Sequence, residues 1–161
     1  RLTAPDAVSE YLLPGVLAAV CRTQVGLQLE LKVSNEVISL ARREADIALR
    51  VTRCPQENLR GREVGTVAMA VYAPRQLTAA GDAPASPGRL PWVGFDAGLA
   101  CSAPGSWLAR NVAADDVRFR ANTLLGAAQA ARAGIGCAVN SISFTTASGR
   151  VFASVSSPVK L

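Results

Sequence analysis

At 161 residues the chain is long enough for one ordinary domain or two small lobes with a real core. Half the residues are apolar, only 5% are aromatic and mean hydropathy is +0.23, a globular composition rather than a disordered one. Seventeen basic and twelve acidic residues give a formal charge of +5, but the arginines are scattered and form neither the basic stripe nor the reading helix of a nucleic-acid surface. No apolar run approaches the roughly 18–20 residues that a membrane span needs. There is no histidine, which removes His-based acid–base chemistry, Ser-His-Asp and Cys-His nucleophiles, and the commonest metal ligand. Cys21, Cys54, Cys101 and Cys137 lie too far apart for a C-x-x-C site, so no metal is expected, and a reducing cytosol is the simpler setting. Cys21 in a helix and Cys137 in a strand read as small buried apolar residues.

In chain order, Arg1 to Ala4 reads as the tail of a strand broken by Pro5. Asp6 to Ser9 reads as a polar loop with Ser9 as an N-cap. From Tyr11 to Gln24, Leu12, Leu13, Val16, Leu17 and Val20 recur at helical spacing, with Pro14 in the first turn and Gly26 past the end. Leu27, Leu29, Leu31 and Val33 alternate with polar residues, a half-buried strand. Ser34-Asn35 provides the next cap and 37–43 the next helix, basic at its C-terminal end as the helix dipole prefers. The strand Asp46–Val51 follows. Strands separated by helices imply a parallel β-α-β-α-β segment with right-handed crossovers.

Cys54 to Gly65 is a polar connection, and Val64 to Ala73 an apolar run long enough for a strand that passes from one lobe to another. Thr78 to Arg89 carries the fewest signals of regular structure. Pro91 opens a short strand, Trp92-Val93-Gly94-Phe95, ending in Asp96. Gly105 precedes a brief helix over Trp107–Asn111, and Val117–Ala121 reads as another strand. Asn122 caps a helix over Thr123–Ala133, and Gly134 suits its left-handed C-cap. Ile135–Val139 is the last buried strand expected, Ser141–Arg150 is loop-like, and Val151–Val155 is a further extended segment.

Polar clusters stand at strand ends and strand-to-helix junctions: Ala4-Pro5-Asp6, Ser34-Asn35, Arg50 with Thr52, Phe95-Asp96 and Asn122-Thr123. In open α/β sheets ligands bind at the carboxyl ends of strands, and helix N-termini favour anions. Taken alone, the residues at helix starts are better read as ordinary caps, and the polar end of the Arg50 strand reads equally well as a solvated end or a binding position.

Taken together, these stretches resemble the effector-binding domain of LysR-type transcriptional regulators. RLTAPDAVSEYLLP is similar to that family's first strand and its loop into the first helix. LQLELKVSNEVISLARREADIALRVTR with ENLRGREVG is the closest match, and ANTLLGAAQAARAGIGCAV resembles the helix and Gly-x-Gly turn of the second lobe. The resemblance implies an α/β fold of two Rossmann-like lobes, like type 2 periplasmic binding proteins, with a small effector in the cleft between them. It implies a first lobe over 1–69 and a second over 70–161. Ala4, Pro5, Asp6, Ser34, Asn35, Arg50 and Thr52 match cleft-lining positions of the first lobe, and Phe95, Asp96, Asn122 and Thr123 those of the second. It further implies a cytoplasmic homodimer or homotetramer that meets DNA only through a separate N-terminal helix-turn-helix, with no cofactor and no membrane.

The sequence departs from the family pattern in three respects. A start at Arg1 rather than Met reads as a fragment without the DNA-binding part. Asn140-Ser141 stands where the family usually has Leu-Pro. The segment that returns to complete the first lobe is expected to be missing. An Arg50 guanidinium facing the cleft would suit a carboxylate, because its planar fork matches one bidentately; a salt bridge to Asp46 or Glu44 would instead consume that fork. Two rivals come from other classes. An extracytoplasmic solute-binding protein would carry a leader and be monomeric. An enzyme would have to work through Asp6, Asp96 or Asp116, without histidine, a phosphate-cradling glycine loop or paired acids at helical spacing.

Overall fold

The computed structural model describes residues 1–35, 45–52, 60–77, 90–143 and 149–155. The helix expected over 37–43, Cys54 and the 78–89 segment lie outside the described residues. The chain divides into two compact units, one built from the described part of residues 1–67 with the late strand 149–155, the other spanning Ala68–Ser143.

In the first unit, β1 (Leu2–Ala4) lies between β2 (Leu31–Val33) and β3 (Ile47–Val51), parallel to both, as the alternation of strand and helix predicts. The apolar face of these strands carries Leu2, Ala4, Leu31, Leu49 and Val51. It packs against Val8 of α1 (Asp6–Tyr11) and Leu13 and Leu17 of α2 (Leu13–Thr23). Leu13, Leu17 and Val20 recur at i, i+4 and i+7, so one stripe of α2 turns inward while Val16 and Cys21 stay exposed. The expectation that Cys21 is buried is therefore corrected, since it lies off that stripe.

Two further local expectations change. Asp6 to Ser9 is helix rather than loop, because Pro5 occupies the N-cap position in extended backbone and its carbonyl accepts from the Ser9 amide at 2.9 Å. Ser9 is thus a buried interior residue of α1, its hydroxyl donating to Ala4 O at 3.4 Å, and not a cap. The second strand is three residues long, because the β1 that pairs with it has only Leu2, Thr3 and Ala4 to offer; Leu27 and Leu29 are exposed.

β4 (Arg60–Tyr72) starts earlier than its apolar run suggests, taking in residues 60–63 of the expected polar connection. Through Val67 it pairs antiparallel with β8 (Gly149–Val155), and β8 pairs antiparallel with β3 along Ile47–Val51. The strand order in this unit is β2-β1-β3-β8-β4. This corrects two expectations: a return strand is present, and the late segment belongs with the first unit rather than with a second lobe over 70–161.

In the second unit, Ala68–Tyr72 of β4 pairs antiparallel with β7 (Ala138–Ser143). The residue before β7, Cys137, bridges in parallel to Trp92 of β5 (Trp92–Phe95), and β5 pairs in parallel with β6 (Val117–Ala121). All four residues of β5 are buried, as suits a strand flanked on both sides. Around it pack Leu99 of α3 (Ala97–Ala100), Leu108 of α4 (Ala103–Asn111) and Ala127, Ala130 and Ala131 of α5 (Leu124–Arg132). Trp107 on α4 meets Trp92 with ring centroids 5.9 Å apart.

α4 begins at Ala103, before Gly105, because the Ser102 hydroxyl accepts from the Gly105 amide at 3.2 Å and Pro104 falls in the first turn. The cap of α5 is Thr123, not Asn122: its hydroxyl accepts from the Gly126 amide at 2.9 Å. Gly134 has φ +90°, as expected of a left-handed C-cap. The final strand of this unit runs through Ser143, beyond the expected Val139, while Ile135 is exposed and precedes it.

Candidate functional site

Because β1, β2 and β3 run parallel, their carboxyl ends emerge along one edge of the first unit. There the chain leaves β1 through Pro5 into α1 and leaves β2 through Ser34. Two hydrogen bonds tie these exits together. The Ser34 amide donates to Ala4 O at 3.0 Å, and the Asp6 amide to Asn35 Oδ1 at 3.1 Å. Asn35 therefore satisfies one of the free N–H groups at the start of α1 from a neighbouring loop. Asp6 is buried in that first turn, Pro5, Ser34 and Asn35 are half-buried, and the Ala4 side chain belongs to the core.

Arg50 and Thr52 stand at the end of β3, both half-buried. The guanidinium of Arg50 donates through Nη2 to the buried Thr3 hydroxyl at 3.0 Å and through Nη1 to Leu49 O at 3.0 Å. Burial lowers the pKa of this group, which nevertheless stays charged at neutral pH. The expected alternative partner, Asp46, is turned instead to the main-chain nitrogen of Arg1 at 2.7 Å. Glu44 lies outside the described residues. Thr3 was not among the expected site residues; the register that sets it opposite Ala48, two residues before Arg50, is what brings it within reach.

In the second unit β5, β6 and β7 likewise share one direction; the carboxyl ends of β5 and β6 carry Phe95-Asp96 and Asn122-Thr123, and Asn140 within β7 lies level with the end of β5 in the register that Trp92 and Cys137 set. Phe95 is a core side chain, so its contribution at this edge is main chain. Asp96 is exposed and caps α3, accepting from the Gly98 amide at 3.0 Å and the Leu99 amide at 3.3 Å, while its own amide donates to Ala121 O at 3.1 Å. Asn122 is exposed at the entry to α5, beside the Thr123 cap.

Two polar residues join this edge that the sequence reading did not include in the site. Arg120 extends its guanidinium across β5 and donates through Nη1 to Phe95 O at 3.2 Å. Gly94 makes room for it, since a Cβ there would stand 2.8 Å from Val117 Cγ1 and 3.4 Å from Arg120 Nη1. Only the pairing of Gly94 with Arg120 reveals this. Asn140, buried at 8% exposure, donates through Nδ2 to Leu124 O at 3.0 Å and so links the middle of β7 to the first residue of α5. Its signal in the sequence was the departure from Leu-Pro.

Each edge thus offers polar donors beside a helix N-terminus, an arrangement suited to holding an anion by hydrogen bonds. Among the described residues no group of three or more Cys, Asp or Glu side chains is placed to hold a metal ion.

A family model described as the LysR substrate binding domain matches residues 1–152. A curated relative, the Mau operon transcriptional activator of Paracoccus denitrificans, is 35% identical over 75 residues, which is 47% of this chain and 26% of that one. The chain therefore spans about a quarter of that relative's length in the match. The fold is similar to the effector domain of the transcriptional regulator AmpR of Pseudomonas aeruginosa. That likeness has a TM-score of 0.76 and 15% identity over 99% of this chain and 85% of the other. It is also similar to the regulatory domain of Synechocystis CcmR in complex with 2-PG. Here the TM-score is 0.72 and the identity 19%, over 100% of this chain and 88% of that one.

Proposed function

The chain belongs to the LysR substrate-binding domain family, with its type 2 periplasmic-binding-protein-like α/β fold, and from that premise we propose that it senses a small anionic effector for a larger bacterial transcriptional regulator. The domain is the ligand-binding, effector part of such a regulator. In the proposal the full protein is a cytoplasmic homodimer or homotetramer, and a separate N-terminal helix-turn-helix carries DNA binding. The domain binds rather than catalyses. No helix among the described residues is long and apolar enough to cross a membrane. The alternative of an extracytoplasmic solute-binding protein is not favoured by the family match.

The observation that carries the reading is where the polar clusters fall. Every one of Asp6, Ser34, Asn35, Arg50, Thr52, Asp96, Asn122 and Thr123 lies at or just beyond the carboxyl end of a parallel strand. That is the usual location for ligands in open α/β sheets. Pro5 shapes the turn into α1, Ala4 and Phe95 support the edges from the core, and Arg120 adds a cation at the end of β5. The effector would alter the regulator's state through its differential affinity for two conformations.

A thermal-shift titration with small mono- and dicarboxylates and inorganic phosphate tests this. A ligand at 100 times its Kd stabilises the folded chain by about 2.7 kcal/mol. The reading requires a saturable rise that is weakened by Arg50→Ala, Asn122→Ala or Thr123→Ala. No saturable response to the panel, or one indifferent to all three substitutions, would count against it.

A further inference from the structure

Asn140 carries a role that neither the family match nor the expected site assigns. It is more than nine-tenths buried in the middle of β7, within the second unit. A buried carboxamide brings a desolvation cost that an apolar residue of similar size would not, and it must be met by hydrogen bonds. One of those bonds goes to Leu124 O at 3.0 Å. Leu124 is the first residue of α5, directly after the Thr123 cap, and within one turn of it the Gly126 amide meets Thr123 Oγ1 and the Ala127 amide meets Thr123 O at 3.1 Å.

We propose that Asn140 is a positioning residue: it pins the first turn of α5 to β7 and so holds Asn122, Thr123 and the helix N-terminus in place for the anionic group of the effector. The placement of the effector rests on the function proposed above; the pinning does not. β7 is a firm support for this, since Asn140 is paired with Ala70 in β4 and lies three residues after the Cys137 main-chain link to β5. An apolar residue at this point would pack but would lose the directional link to Leu124 O. The carboxamide converts a packing contact into a directional one.

The experiment is hydrogen exchange, residue by residue, on the full chain and on its Asn140→Leu and Asn140→Asp variants. Losing one hydrogen bond predicts roughly fivefold to tenfold faster exchange at Gly126 and Ala127 in Asn140→Leu. The amides at the far end of α5, Ala133 and Ile135, should keep their rates. In Asn140→Asp the first turn should exchange at least as fast as in Asn140→Leu at neutral pH, where the carboxylate cannot donate to Leu124 O. It should regain protection on acidification, when the protonated acid can. Faster exchange along all of α5, no change at all, or no recovery in Asn140→Asp at low pH overturns the pinning. Titration with inorganic phosphate, followed through the Leu125 and Gly126 amide shifts, addresses the effector separately. A response in the parent chain that is several-fold weaker in Asn140→Leu supports the positioning role. An equal response in both overturns it, and silence in the parent chain counts against the proposed function while the exchange result still decides the pinning.

Discussion

Gly136 offers a quantitative test of how the second unit is closed. A Cβ built on it would lie 2.5 Å from Pro91 O, 2.7 Å from Pro91 C and 2.9 Å from Trp92 N, all main-chain atoms at the entrance to β5. An alanine therefore needs the two strands to part by almost an ångström. The same junction carries the Cys137 amide to Pro91 O and the Val93 amide to Cys137 O, both at 2.8 Å, and a displacement of that size takes both beyond useful hydrogen-bond length. Overpacking costs about 1–3 kcal/mol, and each weakened bond about 0.5–1.5 kcal/mol. The alanine recovers roughly 0.4–1 kcal/mol through the unfolded chain. Gly136→Ala should thus destabilise the second unit by about 3 kcal/mol. Both tryptophans of the chain, Trp92 and Trp107, lie in this unit and within 5.9 Å of each other, so urea unfolding followed by their fluorescence reads it directly. A loss below about 1 kcal/mol with an unchanged m-value would show that the strands can separate cheaply there, and the argument from close approach would be wrong.

Gly15 is the counterpart: it lies in α2 with nothing within 4 Å of a built Cβ, so Gly15→Ala should stabilise the first unit by roughly 0.5 kcal/mol, read from a higher denaturation midpoint by circular dichroism. Thr123→Ala removes the cap on Gly126 and should cost about 1 kcal/mol in the second unit, with a weaker response to any anion that the thermal-shift panel identifies. In a Cys54→Ser background, a thiol reagent should label Cys21 and Cys101 in the folded protein and Cys137 only on unfolding. Burial raises the Cys137 pKa above its ordinary value of 9.0. Its neutral thiol is therefore favoured in the folded state, and the matching stability is present below pH 9 and lost as pH rises through the folded pKa. A Cys137→Ala variant should show a shallower decline in that alkaline range.

The parts of the fold that could be read from the sequence were those in which the pattern and its neighbours are both local. The three parallel strands of the first unit, β5 with its continuous apolar run and the Gly134 end of α5 are of this kind. The missed features depend on partners remote in sequence. Leu27 and Leu29 alternate like a strand, but β1 is too short to pair with them. Asn122 and Thr123 are both good caps, and the choice falls to Thr123 through its contact with Gly126. Within the candidate site, residue types marked the strand ends. The turn of Arg50 onto Thr3 and the passage of Arg120 over Gly94 follow from pairing register, which composition does not encode.

The insertion of β8 between β3 and β4 also has a consequence for synthesis. Val51 pairs with Val151, so an interior strand of the first unit is made only after the whole of the second unit has been synthesised. The second unit, by contrast, is one uninterrupted stretch, Ala68–Ser143, and holds every strand it pairs within itself. Closing contacts over such a long loop carries a large entropic cost and slows folding. The N-terminal unit is therefore begun first and finished last: it must wait with an unfilled gap in its sheet while the unit encoded after it completes its own.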